Sequence, residues 1–233
     1  RPLRAAEIMD TCQLPRATVH RICTLLCQRG YLHQQTATGG YTLGAKIIDF
    51  ANLVQANQTH SAYRHAILES VAQEVGETCN IAVPDGTAMV YRDRVETKWP
   101  LRHQLPIGAR VPLHCTANGK LYLSTLGEAQ RDRLLKTIAL DKLTKNTLTR
   151  RRDLDTDIAR IAESDVSTDD EEFIEGMIAI AVPIRDKVGR FVAGLAIHAP
   201  VVRLKLKDAL AYVPVLRSAA EKLGSNFSDS GTL

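Results

Sequence analysis

A bounded amphipathic helix followed at once by a hairpin constrains this chain more than any other feature. Over Leu14 to Gly30, Val19, Ile22, Cys23 and Leu26 recur at the i, i+3, i+4, i+7 spacing of one buried stripe, leaving Arg16, His20, Arg21 and Thr24 to point away. Pro15 suits the first turn, where its missing N–H leaves nothing unsatisfied. Gly30 suits the position past the last turn, where the backbone often becomes left-handed. Ahead of this stretch, Leu3, Ala6, Ile8 and Met9 predict a short helix from near Arg4 to about Asp10, and Thr11 to Leu14 form the turn. Two short helices joined in this way make a helix-turn-helix, whose second member can lie in the major groove of DNA.

The following segment, Tyr31 to Leu43, sets apolar positions on either side of a polar tip with Gly39-Gly40 and predicts a β-hairpin. Beside a recognition helix such a hairpin is a wing. Thr36 and Thr38 can donate to phosphate there, or the hairpin can merely cover the helices, as Tyr41 and Leu43 are expected to do. Charge points the same way. Residues 1–45 hold five arginines against two acids, so three of the chain's four net positive charges lie in that short part. A basic head on a near-neutral body is the asymmetry of a nucleic-acid-binding protein, with a solvated basic face as the plainer alternative.

Farther along, an apolar helical rhythm from Lys46 to about Val75 predicts two helices with a break near Gln58 to Ser61, the first a linker able to pair with its symmetry mate. Cys79 to Val83 and Ala88 to Val95 flank the turn sequence Pro84-Asp85-Gly86-Thr87 and predict a hairpin. A loop with Trp99 and His103, a strand to Leu113 and helices at Ala117–Ser124, Glu128–Leu135 and Arg152–Glu163 follow. Strands are expected at Val166–Asp170, Met177–Ile184 and Arg190–Ala199, and then a last helical stretch from Val202 to Leu223, kinked or broken at Pro214. Strands flanked by helices at both ends make an α+β sensor domain.

Several of these stretches together resemble the IclR family of bacterial transcriptional regulators. Leu14-Pro15-Arg16-Ala17-Thr18-Val19-His20-Arg21 resembles its recognition helix, and Gly30-Tyr31-Leu32 with Gly40-Tyr41-Thr42-Leu43-Gly44 its wing. In the larger part, Tyr91 to Glu96, Gly108 to Lys120, Asp169 to Glu172 with Gly176, and Ala179 to Pro183 fall in the family's order. The resemblance implies a winged helix-turn-helix over residues 1–45, a linker helix over 46–60 and a GAF-like effector-binding domain over 61–233. It also implies that the family's first helix precedes Arg1. Arg16 and Thr18 are then expected at phosphates and His20, Arg21 and Thr24 at bases, with Ala17 on the same surface. An outer face so poor in arginine should bind weakly as a single copy, so a homodimer or homotetramer on double-stranded operator DNA is expected.

By the same resemblance, the effector pocket would be lined by His103, Val111, Ala117, Asn118, Asp169, Ala179, Ala196 and His198. Ala196 and His198 stand where small hydroxyl residues are expected, so the pocket's polarity rests on His103, Asn118, Asp169 and His198. Two histidines and an amide can hold an anion or a phenol, so a small organic or aromatic acid is the expected effector. No cofactor, metal or catalytic residue is implied.

Rival chemistries are weaker. Cys115 with His114 and Asp169 could be drawn as a thiol nucleophile or a metal site, but adjacent side chains on extended backbone alternate and no short ligand spacing is present. The acids Asp170 to Glu172 read as a solvated loop, and Arg150-Arg151-Arg152 as the start of an exposed helix balanced by Asp153, Asp155 and Asp157. Five cysteines without a CxxC pair fit a reducing cytoplasm, and no apolar run reaches the roughly 18 residues of a membrane span. A ligand-binding module whose winged helix contacts protein instead of DNA is the second reading.

Overall fold

The computed structural model describes residues 2–35, 38–99 and 105–225, with 52–60 described as backbone. The chain divides into two compact units, Arg1–Thr59 and His60–Leu233.

In the first unit, helices α1 (Ala5–Cys12) and α2 (Arg16–Gln28) precede a hairpin of β1 (Leu32–Gln34) and β2 (Tyr41–Leu43). Glu7 caps α1 by accepting the Arg4 N–H at 2.8 Å. Val19 and Cys23 of α2 are buried with Tyr41, against Ala5, Ile8, Met9, Cys27 and Leu32. The buried stripe is therefore Val19, Cys23 and Cys27. Ile22, expected inside, is 39% exposed because α1 and the hairpin cover only one side of the helix. Gly30 is left-handed, at φ 79°, as the helix end requires. Leu3 and Tyr41 exchange backbone hydrogen bonds of 3.0 and 2.8 Å, so the chain before α1 lies along the wing.

Helix α3 runs unbroken from Ala45 to Val75, correcting the expected break near Gln58 to Ser61. It contains no glycine or proline, and the lapse in apolar rhythm is a change of polarity that the backbone need not follow.

The second unit is built on a six-stranded antiparallel sheet of order β5-β4-β3-β8-β7-β6. In chain order, β3 (Thr78–Asp85), β4 (Ala88–Val95) and β5 (Arg110–Pro112) precede α4 (Ala117–Thr125), α5 (Glu128–Leu135) and α6 (Arg151–Ser164). Then come β6 (Ser167–Asp170), β7 (Met177–Arg185) and β8 (Phe191–Pro200), a short helix α7 (Leu206–Ala209), one 3₁₀ turn and α8 (Val213–Ser225). Pro214 lies in the first turn of α8, where a missing N–H costs nothing, so it opens a helix instead of kinking one.

Alternation along the central strands sorts two faces. Ile81, Ile178, Ile180, Val182, Leu195 and Ile197 pack with Leu68, Val71 and Val75 of α3 and Leu216 and Leu223 of α8. The opposite face offers smaller residues: Ala179, Ala181 and Ala196 lie with Ala117 and Leu121 of α4 and Ile161 of α6. Helix α4 consequently sits very close to the sheet. A Cβ on Gly194 would come within 2.2 Å of Asn118 Oδ1, and one on Gly119 within 2.5 Å of the Leu113 backbone.

Candidate functional site

Two surfaces gather chemistry, one in each unit. On the first, burying Val19 and Cys23 turns Arg16, Ala17, His20, Arg21 and Thr24 to the exterior of α2, with Thr18 half-buried. Thirteen residues at about 1.5 Å each make a rod about 20 Å long, a length that a major groove can take up. Two guanidinium groups, an imidazole and a hydroxyl form its donor face. At the wing, Thr38 is exposed, but its hydroxyl donates to Gln35 Oε1 at 3.0 Å and accepts the Gly40 N–H at 3.3 Å, so it holds its own turn together. Thr36 lies outside the described residues.

In the second unit the expected pocket residues separate into groups. Asp169 and His198 line one small cavity with Tyr91, Arg94, Phe173, Ile174, Met177 and Ile178. Its volume is about 10 Å³, the space of a single water. Asn118 stands behind His198: it donates to Asn80 Oδ1 at 3.1 Å, and Asn80 Nδ2 meets His198 Nε2 at 2.5 Å. The two side chains are thereby tied together across β3 and β8. Ala117, Ala179 and Ala196 fill the closed contact between α4 and the sheet, and Val111 packs with Met89, Tyr91 and Leu113. His103 falls outside the described residues.

Asp169 is the cavity's acid. Its Oδ1 accepts the N–H groups of Glu172 at 2.7 Å and Phe173 at 3.2 Å, closing the turn after β6. Burial pushes its carboxyl up to about 7, against the pull of those two N–H donors, and the nearby Glu172 charge adds to the rise. Burial likewise pushes the Tyr91 phenol up to about 12. Tyr91 meets the His198 ring edge-on at 6.2 Å and carries the Arg94 guanidinium over its face at 5.7 Å.

Because the folded carboxyl of Asp169 is raised above its unfolded value, it contributes stability that is complete below about pH 4 and lost as pH rises through about 7. Asp169→Asn keeps an oxygen for both backbone donors and removes that titration. Its melting temperature is expected to exceed that of the parent at pH 8, with the gap closing by pH 5; thermal melts across this range measure it. The ionisable groups around the carboxyl are Tyr91, Arg94, Cys115, Lys120, Glu172 and His198.

Several residues of this site escaped sequence reasoning. Tyr91 and Arg94 both line the cavity although three residues apart on a strand, because the β3–β4 ladder pairs Ala82 with Tyr91 and Ile81 with Asp93, leaving Arg92 as a bulge. Behind Asp169, Lys120 is buried, 1% exposed, between Glu172 Oε1 and Asp157 Oδ2, the latter at 2.7 Å. This corrects the reading of Asp157 and Glu172 as solvated charges. Burial pushes Glu172 upward against the pull of Lys120. For Asp157 burial is outweighed by Lys120 and Arg160, which hold it low.

Cys115 is fully buried with its thiol pushed upward by burial, and His114 Nε2 lies 3.0 Å from the Asp141 carbonyl. That is the environment of an inert thiol. Among the described residues, no group of three or more His, Cys, Asp or Glu is placed to hold a metal, and no helix is long and apolar enough to cross a membrane.

Comparison with known proteins adds to this geometry. Residues 53–225 match the family profile described as bacterial transcriptional regulator IclR C-terminal, and residues 1–36 match that of the IclR helix-turn-helix domain. The chain is 37% identical to the probable transcriptional regulator SauR of Cupriavidus necator, over 98% of this chain and 90% of that protein. Its fold matches the crystal structure of Thermotoga maritima IclR at 26% identity, with a TM-score of 0.68 over 96% of this chain and 90% of that one. It also matches a double mutant of the PobR inducer-binding domain from Acinetobacter, in complex with 3-hydroxybenzoic acid, at 26% identity and a TM-score of 0.65, over 70% of this chain and 97% of that one.

Proposed function

This chain belongs to the IclR family of bacterial transcriptional regulators, and from that premise we propose that it controls a catabolic operon by binding operator DNA in response to a small carboxylate. Residues 1–45 are the DNA-binding domain, 46–60 the linker helix and 61–233 the effector-binding domain. The observation that carries the DNA-binding half is the outward donor face of α2, with Arg16, His20, Arg21 and Thr24 exposed around a buried Val19 and Cys23. A homodimer or homotetramer in the cytoplasm presents two such helices to successive turns of DNA. The cavity around Asp169 and His198 supports the effector half. Its polar groups are few and convergent among apolar neighbours, as in small-molecule sites, and the PobR domain with 3-hydroxybenzoic acid shows a carboxylate held by a relative of the same fold. Effector binding changes the placement of paired heads and so operator affinity, a coupling of about 1 to 3 kcal/mol in typical cases.

A gel shift with the DNA flanking the protein's own gene, with and without candidate carboxylates, tests both halves. Arg21→Ala is expected to weaken specific binding by about 1 to 3 kcal/mol, whereas Arg16→Ala lowers affinity on all sequences and reduces the salt slope by about one. Ile22 and Leu25, 39% and 51% exposed on α2, favour the second reading of a protein-contacting head. Operator binding unchanged in both arginine variants would turn the assignment to that reading.

A further inference from the structure

The wing beside α2 brings no fixed positive charge of its own. From Leu32 to Leu43 the sequence holds neither lysine nor arginine, and the Thr38 hydroxyl is spent on its own turn. A hairpin that lies along a phosphate backbone needs a cation, because neutralising phosphates supplies most of the sequence-independent affinity for DNA. The segment before α1 provides one. Leu3 and Tyr41 pair antiparallel through two backbone hydrogen bonds, so the next residue, Arg4, stands opposite Gly40 at the tip end of the wing. The approach is close: a Cβ on Gly40 would lie 2.9 Å from the Pro2 Cβ. Arg4 is extended, at φ −78° and ψ 155°, so the alternation of a strand continues through it. Tyr41 is buried toward α2, and Arg4 and Gly40 therefore share the outward face. The Arg4 N–H donates to the Glu7 carboxylate at 2.8 Å, which fixes the backbone as it enters α1, and Arg4 itself is exposed.

We propose that Arg4 is the wing's phosphate anchor: it neutralises a DNA phosphate at the tip end of the hairpin while α2 occupies the major groove, and it does so without reading sequence. The inference rests on the operator-binding reading above. A cation supplied by the neighbouring strand also accounts for the composition of the wing, whose own polar side chains are turned to holding its turn: Gln34 Nε2 donates to the Gly39 carbonyl at 3.2 Å, and Thr38 donates to Gln35 Oε1. Because the backbone of Arg4 is tied on one side to β2 and on the other to α1, only the side chain has to be ordered when DNA arrives. The planar guanidinium fork then matches two oxygens of one phosphate.

Fluorescence anisotropy on the full chain, from about 50 to 200 mM salt, tests this with the duplex flanking the protein's own gene and an unrelated duplex of equal length. The parent is expected to bind both, the first more tightly. Arg4→Gln is expected to weaken both by the same factor, several-fold at low salt, and to flatten the plot of log affinity against log salt by about 0.9 for each head bound. Arg4→Lys should keep the parent's slope. Partial unfolding of a variant would lower affinity by a factor common to all salt concentrations, so the slope separates a phosphate contact from a structural role. An unchanged slope in Arg4→Gln, or a loss confined to the duplex from its own gene, would overturn the role of Arg4 and leave operator binding standing. A parent protein that binds neither duplex would overturn both.

Discussion

Replacing Asp93 by alanine is expected to destabilise the second unit by about 3 kcal/mol or more and to uncouple effector binding from operator affinity. The carboxylate is 4% exposed and serves three donors: Arg64 Nε at 3.0 Å, His65 Nδ1 at 2.9 Å and the Arg94 N–H at 2.9 Å. Arg64, whose side chain is 12% exposed, would keep only the Ser61 hydroxyl at 3.1 Å among these partners, leaving a half-desolvated cation without its anion. Both Arg64 and His65 lie on α3, the helix that begins at Ala45, and Asp93 is the chain neighbour of the cavity residue Arg94. A displacement of Arg94 therefore passes through one peptide unit to the group that ties α3 to the sheet. Asp93→Asn, which keeps one acceptor, should fall between parent and alanine in both respects. Urea unfolding measures the stability. The ratio of operator affinities with and without a saturating effector measures the coupling, and a ratio unchanged in Asp93→Ala would exclude this connection.

Such a connection could not be read from the chain alone. Strict alternation places Tyr91 and Asp93 on one face and Arg94 on the other, and only the extra residue at Arg92 brings Tyr91 and Arg94 together. The elements themselves were legible where a local signal was strong. Pro84-Asp85-Gly86-Thr87 marks the β3–β4 turn, in which Gly86 takes φ 61°, and the apolar runs around Met177 and Phe191 become the paired strands β7 and β8. Where a residue's surroundings are set by elements far away in sequence, the signal was lost. Ile22 fits a helical stripe as well as Cys23 does, but α1 and the wing cover only the latter. Gly194 and Gly119 look like ordinary glycines until their neighbours are known, the Asn118 side chain for the first and the Leu113 backbone for the second. Charge was the least legible, since an acidic run such as Asp169 to Glu172 reads as solvated whether or not a lysine is buried behind it.

That lysine is the basis of the largest stability effect. Lys120 is held between Glu172 and Asp157 at 1% exposure, and removing one partner of a buried ion group costs more than the group contributes, because the remaining charges stay desolvated. Lys120→Met, close in length and without charge, is expected to lose about 3 to 5 kcal/mol at pH 7.5. The triple variant Lys120→Met, Asp157→Asn, Glu172→Gln is expected to recover most of it, since it leaves no buried charge uncompensated; Arg160 loses its Asp157 partner, but its half-exposed side chain stays in water. The loss in the single variant should also shrink as pH falls. Glu172, already pushed up by burial, takes a proton first once the cation is gone, and Asp157, now held down only by Arg160 and opposed by burial, follows. The consequence reaches the cavity, because Glu172 belongs to the turn that closes it. Its N–H binds Asp169, and its carbonyl accepts from Thr147 Oγ1 at 2.7 Å. If the cavity is the effector site proposed above, Lys120→Met should therefore weaken effector binding as well, while the triple variant, with the turn's backbone bonds intact and no buried charge behind Asp169, binds closer to the parent. Urea unfolding between pH 5 and 8, paired with calorimetry on the same variants, gives both readouts. A single variant as stable as the parent at pH 7.5 would mean that Asp157 and Glu172 do not share a buried charge with Lys120.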